Sequence, residues 1–162
     1  MRILGIDPGF GRMGWGIVEE KSGKTAVVDF GCLETSPKKE LGERLKEVHE
    51  FVLSLIQKHP PDALAIEDLF FNTNAKTAFS VGQARGVIIL AATINGLPVT
   101  TYTPLQVKMA ITGYGRAEKR QLGEMIKILL KLDNIPKIDD TTDALAIAIT
   151  HAFSYKTKNL GR

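Results

Sequence analysis

Acidic residues at the ends of apolar segments constrain this chain more than any other feature. Asp7 closes the run Arg2-Ile3-Leu4-Gly5-Ile6, and Glu67 closes Ala63-Leu64-Ala65-Ile66. Asp140 and Asp143 open a very apolar stretch, Ala144-Leu145-Ala146-Ile147-Ala148-Ile149. Segments of this kind form the inside of a fold, and a carboxylate at their ends is costly to desolvate without a positive partner. No Lys or Arg stands next to any of the four in sequence. A divalent cation answers the problem, because Mg²⁺ takes oxygen ligands, carboxylates together with phosphate oxygens. Each acid also has a plainer reading. Asp7-Pro8-Gly9 suits a turn, Glu67-Asp68 a solvated strand end, and Asp140 with Asp143 a helix N-cap and its N3 partner. The metal reading rests on all four falling at element ends within one small chain.

Hydrophobic periodicity orders the rest. Residues 2–7, 11–19 and 24–33 read as strands separated by turn residues, most simply an antiparallel meander. Gly14 and Gly16 interleave with apolar residues in the second strand, and such glycines mark close approach by a ligand or another backbone. Leu41, Leu45, Val48, Val52 and Leu55 recur at helical spacing within 40–58, and Pro60-Pro61 ends that helix. A strand over 62–67 follows, then a helix over about 75–95 closed by Gly96, and a strand over 97–102. Thr103-Pro104 opens a short helix, Gly113-Tyr114-Gly115 ends it, and 118–132 is amphipathic. The last helix spans about 140–155, and residues 157–162 are expected to form a flexible tail. Strands alternating with helices in the second half predict parallel pairing through right-handed crossovers. With the first strand central and 62–67 beside it, Asp7 and Glu67 point toward one spot. The last helix, covering one face of the sheet, brings Asp140 and Asp143 there, since residues three apart share a helix face. The expected class is α/β: a five-stranded mixed sheet flanked by helices, in a single domain over residues 1–156.

Composition narrows the setting. Cys32 is the one cysteine among 162 residues, so an internal disulfide is excluded and a reducing compartment fits. Cys32, His49, His59 and His151 show no zinc-ligand spacing. No signal peptide and no bilayer-length apolar run is visible, which predicts a cytoplasmic protein without a membrane partner. The net charge of +3 is small but unevenly spread. Between Thr103 and Ile138, Lys108, Arg116, Lys119, Arg120, Lys127, Lys131 and Lys137 outnumber Glu118, Glu124 and Asp133. That is the footprint of a polyanion partner or, more plainly, a solvated helix face.

An ordered set of motifs then carries a resemblance. Asp7-Pro8-Gly9, Gly14-Trp15-Gly16, Ala65-Ile66-Glu67, Gly82-Gln83-Ala84-Arg85-Gly86, Gln106-Val107-Lys108, Ala117-Glu118-Lys119 and Asp140-Thr141-Thr142-Asp143-Ala144-Leu145-Ala146 together resemble the RuvC family of bacterial Holliday-junction resolvases, over nearly the whole chain. The resemblance implies a ribonuclease H-like fold, a homodimer, and a cytoplasmic, nucleoid-associated enzyme of DNA repair and recombination. The implied activity is Mg²⁺-dependent endonucleolytic hydrolysis, resolving four-way DNA junctions by paired symmetric nicks. A branch-migration motor complex of the RuvA–RuvB type is an implied candidate partner. Asp7, Glu67, Asp140 and Asp143 match the family's catalytic carboxylates, and Lys108 and Lys119 its active-site lysines. Phe70 matches an aromatic that touches bases near the crossover. Phe71 is a second candidate beside it, since both precede polar Asn72-Thr73-Asn74; the plainer reading is a pair of core phenylalanines. Arg116 and Arg120 complete the expected DNA contacts.

The chemistry expected of such a site is a two-metal one. Two ions roughly 3.5–4 Å apart activate water, neutralise phosphate and stabilise the leaving oxygen. Two Mg²⁺ per site are expected, with Mn²⁺ able to substitute, Asp7 bridging both ions and the other three acids holding the flanks. Lys119 is expected to stabilise developing charge, and Lys108 to position phosphate. Another nuclease of this fold, acting on RNA–DNA hybrids or other branched DNA, fits the carboxylates equally well. An ATP-binding domain of the actin or sugar-kinase type shares the strand, Asp and glycine hairpin but needs two such domains. A DNA-binding module without catalysis fits poorly, because four carboxylates repel phosphate unless metal is bound. Two symmetric nicks with one site per chain call for a two-fold dimer. Ala78, Phe79, Gly82 and Gly86 on the 75–95 helix are the expected interface; the glycines could equally pack on the chain's own sheet.

Overall fold

In the computed structural model, residues 1–68 and 75–160 are described, with the side chains of 75–77 and 156–160 outside that description. Strands β1 (Arg2–Asp7), β2 (Arg12–Lys21), β3 (Lys24–Glu34), β4 (Ala63–Glu67) and β5 (Val99–Tyr102) form one sheet in the order β3-β2-β1-β4-β5. The first three pair antiparallel, and β1–β4 and β4–β5 pair parallel. The first strand is therefore central, with Ile6 level with Ile66. Helices α1 (Leu41–Lys58), α2 (Ala75–Ile94), α3 (Pro104–Thr112), α4 (Lys119–Leu130) and α5 (Asp139–Leu160) flank it.

Strand alternation decides where the acids go. Leu4, Ile6, Leu64 and Ile66 face a core shared with Val48, Val52 and Leu55 of α1 and Ile88 and Ala91 of α2. Ile3 and Ala65 face the opposite core, with Leu145, Ile147 and Ile149 of α5. Side chains two apart along a strand share a face, so Asp7 follows Ile3 and Gly5, and Glu67 follows Ala65, onto the side that α5 covers. Nearly all of these apolar side chains are fully buried, each stabilising the fold by roughly 1.5–3 kcal/mol.

The strand glycines serve that packing. A Cβ on Gly5 would lie 2.2 Å from the Ala144 carbonyl oxygen, and one on Gly14 would lie 1.9 Å from that of Asp140. The close approach expected at the β2 glycines is thus made by the chain's own α5, through its backbone at Gly14 and the Leu145 side chain at Gly16. The short α3 begins and ends as its residues dictate: Thr103 and Gln106 form a capping box, proline occupies the first turn, and Gly113 closes it at φ 71°. The strand β5 starts two residues later than periodicity suggests, because Gly96 at φ 73° and Pro98 occupy the turn. Helix α5 runs on to Leu160, past the expected end near 155. Among the described residues, no helix is long and apolar enough to cross a membrane.

Candidate functional site

The four acids meet where the carboxyl ends of β1 and β4 face the first turns of α5. Asp7 feels Glu67, Asp143 and Asp140 electrostatically. Burial, and then these three neighbours, push the Asp7 carboxyl up to about 8. Glu67 is raised by burial and by Asp143, and is lowered by the hydrogen bond it shares with Asp7. Asp7 and Glu67 share a hydrogen bond, and the pair holds a proton more readily than an ordinary carboxylate does. Asp143 is raised by burial, against the opposing pull of Lys119. Carboxylates crowded in low dielectric hold protons because neither water nor a cation offsets their charge.

Cations do reach the edges of the group, which the linear sequence hid. Arg12 Nε lies 3.3 Å from Asp140 Oδ2. Lys119 Nζ lies 3.6 Å from Asp143 and 3.6 Å from Asp139, and Asp143 chiefly raises its pKa. Among the described residues, no three acidic, His or Cys side chains converge as ligands of one ion. The deepest acid, Asp7, has no cation beside it among the groups that shift it. An oxygen-rich, buried and net negative donor set of this kind fits a hard divalent cation, which would replace the proton on Asp7.

Two lysines from different helices share the cleft beside the acids. A cavity of about 210 Å³ is lined by Glu67, Asp143, Lys108 of α3 and Lys119 of α4. Lys119 is there because Glu118 and Gln121 form a capping box that starts α4 at that residue. Arg120, the next residue, lines a smaller adjoining cleft together with Lys119, Asp139 and Asp143. Arg116 is exposed in the α3–α4 connection. Phe70 and Phe71 lie outside the described residues. On α2, Ala78 and Gly82 are half-buried, while Phe79 is 71% exposed. Gly86 is exposed, and a Cβ there would meet nothing within 4 Å. Gly86 therefore does not pack on the chain's own sheet.

Sequence reasoning missed three participants. Arg12 holds Asp140, Asp139 shares Lys119, and Arg85 steadies the backbone. Arg85 Nε donates to the Glu67 carbonyl (3.1 Å), and Nη2 donates to Thr101 Oγ1 (2.9 Å). Its only advance signal was its place inside a glycine-flanked motif; for Arg12, it was being the first cation after Asp7.

Comparison with known proteins fits this arrangement. The family model described as "Crossover junction endodeoxyribonuclease RuvC" matches residues 3–151. The Brevibacillus brevis crossover junction endodeoxyribonuclease RuvC is 53% identical over 152 residues, covering 94% of this chain and 92% of that protein. Its Alkaliphilus metalliredigens counterpart is 54% identical over 154 residues, covering 95% and 94%. The solved structure of Thermus thermophilus RuvC in complex with Holliday junction substrate superposes with a TM-score of 0.93 at 37% identity, covering 98% of this chain and 96% of that one. With this sheet order, this acid cluster and matches that run nearly end to end, the chain belongs to the RuvC family of crossover junction endodeoxyribonucleases.

Proposed function

We propose that the chain resolves four-way DNA junctions by paired symmetric nicks, with Asp7, Glu67, Asp140 and Asp143 holding two Mg²⁺ ions, for which Mn²⁺ can substitute. The observation that carries the metal assignment is Asp7 set among Glu67, Asp140 and Asp143, whose charges add to burial in pushing its carboxyl up. When bound, the ions supply charge neutralisation and an activated water for in-line displacement. The protein's own groups do the rest. Asp7 gives up its proton and, from the central strand, faces both flanks of the acid group. Glu67 is held in place through its own carbonyl by Arg85. Lys119 and Lys108 line the same cleft as Glu67 and Asp143; Lys108 positions the scissile phosphate, and Lys119 stabilises charge developing on it. Arg12, Arg116 and Arg120 extend the cationic surface along the strand, and Phe70 and Phe71 contact bases near the crossover. The glycine hairpin does not favour an ATP-binding reading, because the space over Gly14 is filled by α5.

The same reading includes a homodimer through α2 and cooperation with a branch-migration motor. Like the junction as substrate, these rest on family membership together with the exposed α2 face. The test is incubation of the protein with a synthetic four-way junction and Mg²⁺, resolved strand by strand beside an RNA–DNA hybrid and a plain duplex. The expected result is paired nicks in two strands of like polarity, in the junction alone. Equal cutting of the hybrid would assign the chain to a different substrate.

A further inference from the structure

A second cleft, larger than the one beside the acids, has no part in the chemistry above. It measures about 360 Å³ and is lined by Tyr114, Ala117, Arg120, Gln121, Glu124 and Met125, with Thr112 at one end. That size, with Tyr114, Ala117 and Met125 beside polar Arg120, Gln121 and Glu124, suits a small planar group. Arg120 also lines the cleft containing Lys119, Asp139 and Asp143, and Lys119 and Asp143 in turn line the catalytic cleft. The larger cleft thus shares Arg120 with the small one, which in turn shares Lys119 and Asp143 with the catalytic cleft.

Tyr114 is presented rather than buried. Its side chain is 58% exposed, yet its backbone is held on both sides. Its N–H donates to Thr112 Oγ1 (3.2 Å), and its carbonyl accepts from the Ala117 N–H (3.1 Å) and lies 3.0 Å from the Thr112 hydroxyl. An exposed aromatic on a fixed backbone has little conformational entropy to lose on stacking.

We propose that this cleft receives one unstacked nucleotide of the strand being cut, its base stacked on Tyr114. The inference rests on the junction-cleaving reading and deepens it. Charge sorts the parts of the nucleotide. Glu124 in the cleft lining repels phosphate but can accept from an exocyclic amine, so the base enters. Arg120, with exposed Arg116 and Lys119 nearby in sequence, attracts the flanking phosphates. Gln121, whose amide oxygen accepts from the Glu118 N–H at 2.9 Å, leaves its amide nitrogen without a partner among the described residues, able to donate to a base edge. A stacked base so close to the cut fixes the strand's register, and makes Tyr114 a positioning residue for which nucleotide is cut.

The experiment uses junctions carrying 2-aminopurine at single positions within three nucleotides of the cut on either side, bound to full-length protein in metal-free buffer. In the parent complex at least one position is expected to be quenched by stacking. Tyr114→Ala should relieve that quenching and weaken junction binding about tenfold, in line with base–aromatic stacking, while Tyr114→Phe retains both. Tyr114→Ala should also spread the cut over neighbouring positions when Mg²⁺ is added. Quenching and affinity unchanged in Tyr114→Ala, with the parent binding and cutting junctions normally, would overturn the inference alone. Failure of the parent to bind junctions would instead overturn the reading on which it rests. Tyr114→Leu, of similar bulk without an aromatic face, separates stacking from packing: behaviour like the alanine variant supports the inference, and behaviour like the parent overturns it.

Discussion

Asp7 is held at odds with its charge, and that has consequences that can be measured in two ways. The folded, metal-free protein keeps the Asp7 proton up to about pH 8, against an ordinary value of 3.8. Each unit of such a shift is worth about 1.4 kcal/mol. The stability linked to the protonated carboxyl is therefore complete below about pH 4 and is lost as pH rises through about 8. Thermal melts in chelator should show Asp7→Asn melting higher than the parent at pH 8, by several degrees, with the gap closing toward pH 4. Mg²⁺ should narrow the pH 8 gap by stabilising only the parent. The same variant should bind junctions in a gel shift yet fail to nick them; normal nicking would remove Asp7 from the chemistry. Lys119 makes a second test. Lys119 is itself largely exposed, pairing with exposed Asp139 and half-buried Asp143, and ion pairs with an exposed partner contribute little to stability. Lys119→Ala should leave the melting temperature nearly unchanged and lower the single-turnover cleavage rate at saturating enzyme by roughly 10²-fold or more. The acids were legible in the sequence because a carboxylate after four apolar residues conflicts with its surroundings. Arg12, Asp139 and Arg85 were not, because an ordinary surface charge looks the same whether or not it faces a partner distant in sequence.

At the scale of elements, α5 sits where it does because Gly5 of β1 and Gly14 and Gly16 of β2 put no side chain in its way. A Cβ on Gly14 would strike the backbone of Asp140 itself, and a backbone atom cannot rotate aside as a side chain can. Gly14→Ala should cost about 1–3 kcal/mol of stability. It should also weaken Mg²⁺ binding, measured by calorimetry, because the turn it displaces carries Asp140 and Asp143. Gly23→Ala, whose added Cβ meets nothing within 4 Å but whose φ of 85° is strained for alanine, is the control: destabilising with metal binding intact. Element order and the central place of β1 were readable, since strand length, proline stops and glycine caps are local signals. The purpose of Gly14 and Gly16 was readable only in part. A strand glycine announces a close approach without naming what approaches. The start of β5 and the end of α5 shifted because a turn and a helix terminus depend on what packs against them.

At the scale of the whole molecule, α2 presents an apolar stripe that no other described residue of this chain covers. Phe79 is 71% exposed, Leu90 54% and Ile94 69%, and at helical spacing they lie on one side together with Gly86. A dimer formed through this stripe should be broken by Leu90→Glu with Ile94→Glu, as sedimentation would register. Circular dichroism should stay that of the parent, because neither side chain is in the core. The monomer should leave singly nicked junctions where the parent leaves resolved duplexes; a double variant that remains dimeric places the interface elsewhere. A last consequence comes from how the acids are distributed along the chain. Asp7 is near the beginning, Glu67 near the middle, and Asp140 and Asp143 close to the end. The face of the sheet on which they meet is roofed by the final helix, and Ile3 and Ala65 stay bare until it docks. A growing chain on the ribosome therefore carries half a site and no cover for it. Only when the segment bearing Asp140 and Asp143 has been made and has docked on the sheet can the site assemble.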